Sequence, residues 1–239
     1  MRHIGLFIMT MLLNTGCANV SSAENAEREN KANARIALGL AYLKQGDHTK
    51  AWQNLLVAQN HAPRYLHTQL ALAHYYTQVN ELERAESLYL QTLKDHPNNG
   101  DVMNNYGTFL CHKKDYQHAE RWLLKAIKQR DYVSVATSYE NMGLCALKAH
   151  HDTNAMTYFA QSVKHDPRHI RAWQHWIALL IQHQRISQAE QQLKTYLTYH
   201  GADKHYTAMM LLVNAALNNE FVADDEHDVD VGSSDTLKI

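Results

Sequence analysis

The stretch Ala34–Pro63, ARIALGLAYLKQGDHTKAWQNLLVAQNHAP, decides how the rest of the chain is read. Leu38, Gly39, Tyr42, Gly46, Ala51, Leu55, Ala58 and Pro63 stand at spacings that return further along. Thirty-four residues on lie Leu72, Ala73, Tyr76, Ala85, Tyr89 and Pro97, and another 34 on lie Tyr106, Gly107, Leu110, Ala119, Leu123 and Ala126. A shift of two residues, absorbed near Ser134, then gives Met142, Gly143, Ala146, Ala155, Phe159 and Pro167. A last block has Trp176, Ile177, Leu180, Ala189 and Leu193. Self-similarity at a nearly constant period marks an array of one supersecondary unit.

The residue types at those positions have physical reasons. Gly39, Ala73, Gly107 and Gly143 sit where two helices cross closely, and Ala51, Ala85, Ala119, Ala155 and Ala189 fill the facing place. Larger apolar residues at i, i+3 and i+4 form the interlocking stripe. Pro63, Pro97 and Pro167 end second helices, because proline cannot continue one. The spacing is that of the tetratricopeptide repeat. A hairpin of this kind buries only part of its apolar face, so stacking is obligatory. The expected fold is all-α, a right-handed superhelix of five full repeats over residues 32–222. After Gly201 the segment KHYTAMMLLVNAALNN is expected to cap it as one more first helix.

Composition agrees. Among 239 residues, 45% are hydrophobic but only 9 are Gly and 3 Pro, too few breakers for a turn-rich sheet protein. A formal net charge of −1 argues against a nucleic-acid partner. The charge is uneven: Asp224, Asp225, Glu226, Asp228, Asp230 and Asp235 against Lys238 leave the end of the chain at −5. Residues 223–239 are therefore expected to be a disordered acidic tail.

At the other end, Arg2 and His3 precede an apolar run from Ile4 to Leu13, too short to span a bilayer and of the length of a signal-peptide core. Thr15-Gly16-Cys17 resembles a bacterial lipobox, with Asn14 where leucine is usual. The resemblance implies cleavage after residue 16 and lipidation of Cys17, with an ordinary signal peptide and an incidental cysteine as the alternative, and Ala18 in the next place implies sorting to the outer membrane. Residues 17–31, polar and aperiodic, read as a flexible spacer. The body would then face the periplasm.

No catalytic constellation is legible. Cys111 and His112 are neighbours on one helix, so their side chains diverge by roughly 100° and do not form a nucleophile–base pair. Cys145 lies 34 residues beyond Cys111, in a compartment that permits disulfides. A Cys111–Cys145 bridge between neighbouring first helices is expected, with two buried free thiols as the alternative. The 17 histidines show no HExxH, HxH or Cys/His knuckle spacing. No metal, cofactor or small-molecule substrate is expected, and the protein is read as a non-enzyme.

With the repeats in place, NNYGTFLC, YQHAERWLLKAI and ENMGLCALK resemble the PilW (PilF) family of type IV pilus biogenesis lipoproteins. Asp131-Tyr132 departs from the Pro-Tyr usual there. The resemblance implies a pilotin-like role: binding type IV pilus secretin subunits and promoting their multimerisation and outer-membrane localisation. A general periplasmic adaptor, for example a regulator of a cell-wall synthase, is the alternative. First helices line the concave face of such an array. The expected partner groove is thus Asp101, Asn104, Asn105, Thr108 and His112 in the third repeat, Glu140, Asn141, Leu144 and Lys148 in the fourth, and Arg171 and Gln174 in the fifth. The soluble body is expected to be monomeric.

Overall fold

The computed structural model describes the backbone of residues 4–228 and the side chains of residues 22–218. Among the described residues all regular structure is helical, in eleven helices: α1 (Ile4–Lys44), α2 (His48–His61), α3 (Leu66–Gln78), α4 (Leu82–Asp95), α5 (Gly100–His112), α6 (Tyr116–Ile127), α7 (Val135–Lys148), α8 (Asp152–His165), α9 (Ile170–Gln182), α10 (Ile186–His200) and α11 (Lys204–Asp228). The C-terminal part of α1 with α2, then α3–α4, α7–α8 and α9–α10, pair as expected hairpins, and α5 and α6 follow one another in sequence where the third is expected.

The chain divides into two compact units, Met1–Lys113 and Lys114–Ile239. In the first, α1 packs on α2 and α3, and α3 on α4 and α5. Its core includes Ala32, Ile36, Leu55, Ala58, Ala71 and Leu72. In the second, α7 packs on α6 and α8, α8 on α9, and α11 covers α9 and α10. There the core runs through Ala155, Phe159, Trp173, Ile177, Leu193 and Tyr196 to Met209 and Val213 of α11. The helix after Gly201 therefore caps this unit as expected.

Close approach within a hairpin depends on the missing side chain of its glycine. A Cβ on Gly39 would stand 2.8 Å from Leu55 Cγ, and one on Gly143 only 2.6 Å from the Phe159 ring. The alanines of the second helices, Ala51, Ala85, Ala119, Ala155 and Ala189, are all fully buried.

Between the two helices of every repeat the chain turns through one left-handed residue: Gly46 (φ 78°), Asn80 (61°), Lys114 (66°), His150 (58°) and Gln184 (56°). The next amide reaches back five residues, from Asp47 to Tyr42 O (2.9 Å), Glu81 to Tyr76 O (2.8 Å), His151 to Ala146 O (2.9 Å) and Arg185 to Leu180 O (2.8 Å). This closes the first helix. The same residue then starts the second helix. Asp47 and Asp115 cap it outright, their carboxylates accepting from the Lys50 and His118 amides.

Two ends of the chain differ from expectation. Residues 17–31, read as a flexible spacer, have helical backbone as part of α1. No glycine or proline lies between Cys17 and Gly39, the composition is rich in Ala and Glu, and Lys31 bridges Glu27 one turn back at 2.6 Å. At the other end α11 continues to Asp228, taking in the first residues of the segment read as a disordered tail, because nothing between Lys204 and Asp228 interrupts a helix. The Cys17 side chain and residues 229–239 lie outside the described residues.

Two substitutions test this packing. Gly143→Ala should lower stability by about 1–3 kcal/mol, because Phe159 must shift to admit the methyl group. His150→Gly should raise it by about 0.5–1 kcal/mol by relieving a left-handed side-chain residue. Both are read as shifts of the unfolding midpoint in urea, and an unchanged midpoint for Gly143→Ala would contradict the close crossing.

Candidate functional site

In the first unit, α1, α3 and α5 border a groove of about 400 Å³. Ile36, Leu40, Leu70 and Ala71 make an apolar floor, and Asn33, His67, His74 and Asn105 stand around it. The floor follows from the repeat. Each first helix turns one stripe to its own hairpin and the adjoining stripe toward the open side, where Leu40 stays accessible above the buried Ile36, Leu70 and Ala71. Leu40 is 36% exposed and Leu38 47%.

The polar rim is partly pre-bonded. Asn33 donates to the Tyr65 hydroxyl at 3.0 Å, and the His67 ring meets the same hydroxyl at 2.8 Å. Asn105 donates to the Asp101 carbonyl (2.8 Å) and Thr108 to the Asn104 carbonyl (2.9 Å), each one turn back on α5. His74 is exposed as a whole, but the side chains crowded around its ring lower the imidazole below its usual range, and nearby His112 pushes it the same way. The neutral form of His74 is thereby favoured. The groove offers a partner an apolar seat edged by amide and imidazole groups, suited to an apolar side chain on a polypeptide whose backbone needs donors and acceptors.

Of the residues expected to line a partner groove, Asn105 borders this one. Asp101, Thr108 and His112 are exposed on the same helix, and Asn104 is half-buried. The reading missed Ile36, Leu40, Leu70 and Ala71. The available signal was an excess of leucine in Ala34–Pro63, where Leu38 and Leu40 add to what one hairpin interface can bury.

In the second unit Glu140 does not belong to an open groove. It is 1% exposed and bridges from α7 to the start of α9. Arg171 donates from Nε to its Oε1 at 2.6 Å, and His169 bonds its other oxygen. The correction has a simple cause: position 140 faces the following repeat, whose first turn supplies two donors. Burial alone would raise the Glu140 carboxyl, but the hydrogen bonds and charges of Arg171 and His169 outweigh it and hold the carboxyl below its usual range. Arg171 is thus shared, its guanidinium still largely exposed. Gln174 is engaged with His205 of α11 at 3.0 Å. Leu144 packs against the core, while Asn141 is half-buried and Lys148 exposed.

Cys111 on α5 and Cys145 on α7 are both disulfide-bonded. Neither sulfur is available as a nucleophile in this state.

Stacked helical hairpins with an apolar-floored groove define a tetratricopeptide-repeat protein, and the tetratricopeptide repeat family matches residues 70–134. The chain belongs to the same family as an uncharacterized protein of Haemophilus influenzae, to which it is 37% identical over 128 residues, 54% of this chain and 72% of that one. It is related to the type IV pilus assembly protein PilF of Pseudomonas aeruginosa, 32% identical over 155 residues, 63% of this chain and 61% of that protein. A solved structure of that PilF matches with a TM-score of 0.60 at 25% identity, covering 87% of this chain and 95% of that one. A crystal structure of PilW, a widely conserved type IV pilus biogenesis factor, matches with a TM-score of 0.61 at 21% identity, covering 84% and 93%. That last likeness shows the fold.

Two measurements check the chemistry described here. The charged Glu140 carboxylate contributes fully above its ordinary value of 4.5, and the contribution is lost as pH falls below that through the depressed folded value. Glu140→Gln should therefore cost about 1–3 kcal/mol at neutral pH, and its loss of stability on acidification should be shallower than that of the unsubstituted chain. A parallel acid dependence would refute the ion-pair role. Separately, a maleimide should label neither Cys111 nor Cys145 until a reductant is added.

Proposed function

We propose that the protein is an outer-membrane lipoprotein, acylated at Cys17, that binds type IV pilus secretin subunits and promotes their multimerisation and localisation at the outer membrane. It acts as a scaffold and performs no reaction. The observation that carries the reading is the apolar-floored groove of the first unit, in a chain related to PilF. A groove floored by Ile36, Leu40, Leu70 and Ala71 suits an apolar segment of another polypeptide. Its rim supplies hydrogen-bonding groups without a fixed charge. Holding subunits at the membrane raises their local concentration, which favours assembly without any chemical step. Two half-sites of affinity arise in this way from one anchor and one groove.

Deleting the gene should remove or sharply reduce secretin multimers on a non-denaturing gel, with monomers persisting. Restoring the gene with Leu40→Glu, a substitution at a partly exposed floor position, should fail to restore the multimers although the protein accumulates. Undiminished multimers in the deletion strain would overturn the reading.

A further inference from the structure

Helix α6 carries a surface that neither the hairpin packing nor the groove uses. Its buried side is Ala119, Leu123 and Ala126. Nearly opposite stand Arg121, Lys125 and Lys128, all exposed, within an arc of roughly 60° and a length of about 10 Å. Arg130 follows in the adjoining turn, and Lys164 occupies on α8 the repeat position that Lys128 occupies after α6. Lys125 lies over the ring of half-buried Trp122, its nitrogen 4.1 Å from the centroid. Among the described residues none of these five cations has a carboxylate within 4.0 Å, whereas Lys50, Arg84, Lys113, Arg171 and Lys194 all do. Of the neighbouring acids, Glu120 accepts the Tyr158 hydroxyl and Asp115 holds His118, which leaves Asp131 beside Arg130.

The repeat does not require this charge. Positions equivalent to Arg121 hold Gln53, Ser87, Thr157 and Gln191, and those equivalent to Lys125 hold Val57, Gln91, Gln161 and Thr195. Solvation alone is met there by neutral side chains.

We propose that this face of α6 docks on a bilayer surface bearing anionic phospholipid headgroups. Cations clustered on one exposed helix face match a plane of phosphate charge, and their long stems let the charged ends reach it. The tryptophan among them is the side chain that prefers the level between headgroup and hydrocarbon. A membrane is favoured over an acidic polypeptide because Arg121, Lys125 and Lys128 lie along the outer ridge of one helix opposite its buried side, where a plane can meet the three at once. The inference depends on the proposed outer-membrane setting only for where the surface would be met.

The test uses the purified full chain, with vesicles of phosphatidylethanolamine alone or mixed with phosphatidylglycerol. Any contribution of the N-terminal segment other than electrostatic is common to both. The second protein carries Arg121→Gln, Lys125→Gln and Lys128→Gln, types that sibling repeats already hold at the first two positions. Co-sedimentation of the unsubstituted chain should rise at least about tenfold when phosphatidylglycerol is present and fall with added salt. The triple variant, with unchanged helical circular dichroism, should lose most of that rise. Equal partition of the unsubstituted chain on the two vesicles overturns the proposal, as does a preference that survives the triple substitution. If instead the three cations are needed only to co-purify an acidic protein, the lipid assignment fails. Secretin multimers are read separately: the vesicle result can fail while they still depend on the gene, and the reverse also holds.

Discussion

Everything in this structure depends on how closely the two helices of a repeat can approach. Gly39 against Leu55 and Gly143 against Phe159 leave no room for a single added carbon. The fully buried alanines of the second helices complete the same contact from the other side. Tight crossing lets Leu55 pack into the core of the first unit and Phe159, Leu193 and Tyr196 into that of the second, and that burial offsets the chain entropy lost on ordering each hairpin. Because one hairpin covers only part of its own apolar surface, the next must be laid on it. The open stripe that results is what floors the groove. Fold and site are two consequences of one spacing.

The hairpins were legible because their signals are local and periodic. Small residues at fixed offsets, apolar stripes and helix-ending prolines each report on neighbours a few residues away. The turns were only partly legible: Gly46 and, less strongly, Asn80 signal a left-handed residue, but Lys114, His150 and Gln184 adopt the same conformation with side chains that signal it poorly. There the flanking helices impose the geometry and the turn residue bears the strain. Even the two-residue shift near Ser134 left the conformation of the following turn unchanged.

Where sequence reasoning fell short, the missing information was tertiary. Glu140 was placed on an open face because its own helix says so, yet the first turn of α9 brings His169 and Arg171 over it. A carboxylate 29 and 31 residues from its partners gives no local sign of them. The groove floor was missed for the converse reason. Ile36, Leu40, Leu70 and Ala71 look like ordinary core residues, and only the placing of α1, α3 and α5 shows which of them border an open side. In the N-terminal segment helix propensity prevails over the lack of apolar periodicity, because no breaker separates it from the first repeat.

That continuity has a mechanical meaning. Helix α1 runs without interruption from Ile4 to Lys44 and supplies Asn33, Ile36 and Leu40 to the groove wall. A pull or a twist applied near its start is therefore delivered to the wall as through a lever arm, with little slack to absorb it. The 15 residues 17–31 make a strut about 22 Å long. Anything that held the outer end of that strut would also set the height and heading of the groove wall.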